Sequence, residues 1–147
     1  LPKGPARDAG LFAHITFGLA MLGLLAIRVP WRLADPPPGP EPATAGLWAQ
    51  RAAHFTHWML YILLAGVIIA GIVLQFARGR PLPLLGLAEI ASPWMADRAF
   101  ARSVKEVHEV LANALLVLAI LHAAAAMFHH WILRDRTLVR MLPRSPR

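Results

Sequence analysis

Seven histidines stand in or at the edges of three long apolar runs: His14 in the first, His54 and His57 in the second, and His108, His122, His129 and His130 in the third. An ionisable side chain inside a membrane helix costs a few kcal/mol unless partnered, and it usually marks function. Histidines at helix ends also bond water or lipid headgroups, a role that accounts equally well for His54, His129 and His130. It does not suit His122, which lies eleven residues inside the end of the last run. His108 and His122 are fourteen residues apart. At about 100° per residue this returns to within roughly 40° of one helix face, with a rise of about 21 Å. One face therefore offers two imidazoles at two depths, the arrangement that two stacked haems would need. Neutral imidazole is a good axial ligand for haem iron.

His14 lies near the start of the first run and His108 near the start of the third, so two facing helices can grip one iron from opposite sides. With both axial positions filled, the iron suits electron transfer rather than oxygen binding. His122 has no such obvious partner. His54 and His57, on the lower half of the second run, are formal candidates, but they are expected to lie several ångströms too low. A partner from a helix outside this sequence is expected instead, since four spans make a better two-haem bundle than three. Gly18 follows His14 by four and Ala123 to Ala126 follow His122. Small residues leave room for a macrocycle, although ordinary packing of membrane helices explains them nearly as well.

The elements that must position these side chains follow from the hydropathy pattern. The run Leu11 to Ile27 is closed by Arg28, Pro30 and Arg32, and the second and third runs carry no charge from Ala52 to Ala77 and from Val110 to Leu133. A bilayer core needs about 20 helical residues, so the spans are placed at about 8–29, 47–77 and 104–133, with Asp8 as the first N-cap. The fold class is an all-α transmembrane helix bundle forming a single domain over 1–147. Residues from Pro30 to Gly46, rich in proline, are expected to form an extended linker. Arg78 to Ser103 are expected to form a loop with a short amphipathic helix on the membrane surface. A basic tail runs from Arg134 to Arg147. Lys and Arg are nearly balanced between the two faces and lean weakly toward a cytoplasmic face at the loop between the first two spans.

Composition agrees. Hydrophobic residues make up 57% and charged residues 16%, with a mean hydropathy of +0.51; a soluble domain has about 25% charged residues, so lipid is the expected solvent. The net charge of +7 does not indicate nucleic acid, because the basic residues flank apolar runs rather than forming a stripe with aromatics. The absence of cysteine excludes disulfides, iron–sulfur clusters and covalent c-type haem, so a haem here is held noncovalently. The sequence opens on Leu-Pro-Lys-Gly without a signal-peptide pattern.

The third run and its tail resemble the bacterial di-haem cytochrome b561 family. The likeness lies in His108-Glu109 with Leu111-Ala112-Asn113, in Leu121-His122-Ala123-Ala124-Ala125-Ala126, in His129-His130, and in Asp135, Thr137-Leu138, Arg140-Met141 and Pro143-Arg144. Ala53-His54, His57 and Tyr61 are similar to the family's third helix, and His14, Gly18 and Arg28 to its second. The resemblance implies four membrane helices holding two b-type haems, each between two histidines, in the inner membrane of a bacterium. His14 and His108 would match one ligand pair. His122 would match one ligand of the other haem, whose partner stands on a first helix that this sequence lacks; that helix, lost or cleaved, or another chain would supply it.

Family members exchange electrons with the quinone pool, and some resemble a superoxide oxidase that passes electrons to ubiquinone. Arg98, Arg102 and Lys105, just before His108, would then form a funnel for a small anion, although lipid anchoring explains them equally. His129, near the lower end of the last span, would hydrogen-bond a quinone carbonyl, although an interfacial role has similar weight. Three functions follow: an electron-transfer oxidoreductase using quinone and superoxide; a haem-bearing anchor subunit of a hydrogenase or dehydrogenase; and, from a different class, a cofactor-free membrane transporter or scaffold.

Overall fold

The computed structural model describes residues 4–35 and 46–133. Three long helices dominate: α1 (Pro5–Ala34), α2 (Gly46–Ala77) and α3 (Arg98–Phe128), the last running into a π-helical turn, His129–Leu133. All three are long and apolar enough to cross a membrane. Between α2 and α3 lies a small antiparallel hairpin of β1 (Leu82–Leu84) and β2 (Ala88–Ile90), with Leu82 opposite Ile90.

The spans are longer than hydropathy alone suggests. α1 starts at Pro5, whose fixed φ and missing N–H suit the first helical position. Asp8 is therefore not the N-cap; it sits in the first turn, where its charge favours the helix dipole. α1 also continues through Pro30 to Ala34. One proline removes a single ladder hydrogen bond, which a membrane helix tolerates, so the expected linker does not begin at Pro30. Its remainder, residues 36–45, lies outside the described residues, as does the tail from 134 onward. α3 begins at Arg98 rather than 104, because Asp97 caps it by accepting from the backbone N–H of Ala99 and Phe100 at 2.9 and 3.0 Å.

The expected surface helix between α2 and α3 is replaced by the hairpin. Pro81 and Pro83 disfavour helix and tolerate an edge strand. Leu85 and Gly86 both take positive φ, and Leu87 N–H donates to Leu84 O at 2.9 Å, as in a type I′ turn. α2 ends in a Schellman motif: Gly79 (φ 67) donates to Phe76 O and Arg80 to Gln75 O. The buried Gln75 amide donates to Pro81 O at 2.9 Å, and Asp97 N–H donates to Ala77 O at 3.0 Å. These bonds fix the loop to the upper end of α2.

α2 and α3 pack along most of their length. Leu74, Ala77 and Ala101 form a small buried cluster with Val104 against it. The half-buried residues of α3 include Val104, His108, Leu111, Leu115, Leu118 and His122, spaced alternately four and three. That is the seam of a left-handed helix pair, and it carries both histidines. α1 is held at its two ends. Gly86 leaves room for the Phe12 ring, to which a Cβ there would come within 3.3 Å, and Arg28 Nε donates to Tyr61 Oη at 3.2 Å. Among the described residues, no Cα of α1 comes within 8 Å of a Cα of α3.

Candidate haem-binding site

The four innermost histidines form two pairs, both using the α3 seam. His14 of α1 and His108 of α3 have ring centres 6.1 Å apart, nearly perpendicular at 78°. His57 of α2 and His122 of α3 have ring centres 5.0 Å apart at 74°.

The upper pair reaches across the gap between α1 and α3. An imidazole nitrogen binds a first-row metal ion at about 2.0–2.1 Å, which puts two rings in line on one ion with centres about 6 Å apart. The observed 6.1 Å is close to that spacing, and the backbones of α1 and α3 stay more than 8 Å apart among the described residues. Gly18, one turn below His14, faces open space: a Cβ there would meet nothing within 4 Å. Ala123, Ala124 and Ala125, by contrast, are exposed and do not line the seam.

His108 is further constrained. Its Nδ1 lies 2.9 Å from Val67 O on α2. A carbonyl can only accept, so Nδ1 carries the proton and Nε2 keeps its lone pair for a metal. The ring rests on Gly71, where a Cβ would stand 3.2 Å from its Cε1. Residue type and spacing do not single out Gly71, which stands in its run beside Ala70 and close to Ala65 and Gly66.

The placement of His57 corrects the expectation that it lies too low for His122. With their ring centres 5.0 Å apart across the α2/α3 contact, His57 and His122 are level. Their centres are closer than the in-line spacing, and they sit where α2 and α3 pack tightly. His54 is engaged lower down, accepting from Trp58 Nε1–H at 3.0 Å. His129 opens the π-helical turn beside Phe128.

The upper surface is densely charged, its cations interspersed with the acids Asp8, Glu89, Asp97, Glu106 and Glu109. Arg98, Arg102 and Lys105 are exposed on the first turns of α3, with Lys105 paired to Glu109 one turn on. Arg78 joins them from the end of α2. Burial, then the neighbouring cations Arg80 and Arg7, lowers its guanidinium from the ordinary value.

A family model described as prokaryotic cytochrome b561 matches residues 1–144. The chain belongs to the prokaryotic cytochrome b561 family. It is 35% identical over 132 residues to cytochrome b561 homolog 2 of Escherichia coli, covering 90% of this chain and 70% of the relative. It is 37% identical over 140 residues to a probable superoxide oxidase of Yersinia pestis, covering 90% and 74%. Cytochrome b561 homolog 1 of Escherichia coli is 35% identical over 149 residues, covering 97% and 81%. The cytochrome b561 family binds haem b and transfers electrons in the membrane, and the three apolar helices make this member a multi-pass bacterial membrane protein. A cofactor-free transporter or scaffold is thereby set aside.

Proposed function

We propose that this cytochrome b561 passes electrons across part of the bilayer, from superoxide at its upper surface to quinone at the opposite end, with His14 and His108 as the residues that would hold one haem b. The observation that carries the reading is the 6.1 Å separation of those two rings across a gap that the helix backbones leave open. Bound haem supplies an iron that alternates between ferric and ferrous and so accepts and releases single electrons.

The chain's own residues do the rest. His14 and His108 would hold the haem iron from two sides and so would leave oxygen no site at the metal. Val67 O holds the His108 proton on Nδ1 and so directs Nε2 into the gap. On the upper surface Arg102 and Lys105 draw an anion toward the His108 end of the seam. Two superoxide anions each give up one electron and leave as dioxygen. Quinone takes two electrons and two protons and leaves as quinol.

His122 offers one ligand to a second haem at the lower level. Its 5.0 Å spacing from His57, in tightly packed helices, supports an opposing ligand from another segment rather than from His57. His129, which opens the π-helical turn, would donate to a quinone carbonyl. The test is haem content per chain in His14→Ala and His108→Ala. Each is expected to lose the same haem and to spare any other. Loss of two different haems, or of none, would refute the pairing.

A further inference from the structure

We infer that Gly71 is a positioning residue for His108: with the Val67 carbonyl one turn before it, it sets the imidazole's tautomer and depresses the reduction potential of the haem that His108 ligates. The inference rests on the reading of His108 as an axial ligand and goes beyond it, because it concerns α2, which contributes no ligand to that haem.

Three observations combine. His108 Nδ1 is 2.9 Å from Val67 O, across the α2/α3 interface and forty-one residues away in sequence. A helical carbonyl already serving its own ladder keeps a second lone pair, so the contact does not break α2. Reaching that oxygen brings the ring against the helix backbone at Gly71. A Cβ there would lie 3.2 Å from His108 Cε1 and 3.5 Å from Nδ1, so even an alanine requires the ring to give by a few tenths of an ångström, away from the carbonyl side of α2. Gly66, on the same helix, provides the contrast: a Cβ there would stand 3.5 Å from Leu111 Cδ1, an ordinary contact with a flexible side chain.

Hydrogen bonding at the distal nitrogen makes a ligating imidazole more basic. A more basic ligand favours the more highly charged ferric iron, so the potential falls. Losing the bond should raise it. Such outer partners are worth about 10-fold or more in metal-site equilibria, and a tenfold change for a one-electron couple is about 59 mV.

The experiment compares Gly71→Ala with Gly66→Ala by redox titration and ferric paramagnetic resonance. Gly71→Ala should keep its haem while the ferric-to-ferrous ratio at a fixed poise falls about tenfold, a rise of about 59 mV, with shifted low-spin g values. Gly66→Ala should change neither. Equal behaviour of the two variants would overturn the inference, because a purely packing role would not separate them. Should Gly71→Ala bind no haem, hydrogen–deuterium exchange on the unaltered protein decides. Double resonance should find the Nδ1 proton of one axial imidazole exchanging slowly, shielded by Val67 O; complete exchange on mixing would overturn the proposal. Failure of the ligation reading itself is distinct: His108→Ala would then leave haem content unchanged.

Discussion

Reversing the charge at Lys105 is expected to slow electron uptake from superoxide in a salt-dependent way. Lys105 is half exposed and pairs with Glu109 one helical turn on, and it stands three residues before His108, a rise of about 4.5 Å. Lys105→Glu changes the local charge by two units and faces the Glu109 carboxylate with another. At about 10 Å in water, each unit acts on a monovalent anion with about 0.4 kcal/mol, so the swing is about 0.8 kcal/mol, roughly fourfold in local anion concentration. At about 0.01 M salt the Debye length is about 30 Å and roughly threefold survives; at about 1 M it is about 3 Å and the effect disappears. Pulse radiolysis generates superoxide in the presence of the purified ferric cytochrome, and haem reduction is followed optically. The variant should react about threefold more slowly than the parent at low salt and equally fast at high salt. An unchanged rate at low salt, or the same slowing at both, would refute the electrostatic reasoning.

Two other predictions concern the lower end. His57→Ala should leave the haem content per chain unchanged, because the close His57–His122 packing leaves no room for a macrocycle between the rings; loss of one haem would make His57 a ligand. His129→Ala should raise the apparent KM for quinone roughly fivefold, the equivalent of about 1 kcal/mol for one hydrogen bond. Steady-state kinetics over a quinone series would expose an error as an unchanged KM.

Much of this arrangement is legible in the sequence because membrane helices obey few rules. Long uncharged runs locate the spans, and fourteen residues is two heptads, so His108 and His122 share the α3 seam. Helix ends are less legible. They depend on local backbone chemistry that hydropathy does not register: Pro5 starts α1 early, α1 runs through Pro30, and α2 extends six residues below its charge-free run. His57 comes level with His122 through the register in which α2 packs on α3, which a count from hydropathy edges does not give. The loop before α3 misleads for a similar reason. Its scattered leucines resemble an amphipathic helix, but the prolines at 81 and 83 and the positive φ at Leu85 and Gly86 produce a hairpin. Gly71 could not be assigned from spacing, because its role appears only once α3 is laid against α2.

The most direct test of the central claim is the paramagnetic resonance spectrum of the purified ferric protein beside that of His14→Ala. Two imidazoles on one iron predict a low-spin six-coordinate signal that His14→Ala converts to high spin or abolishes. A high-spin signal in the unaltered protein, or a low-spin signal indifferent to the loss of His14, would contradict it.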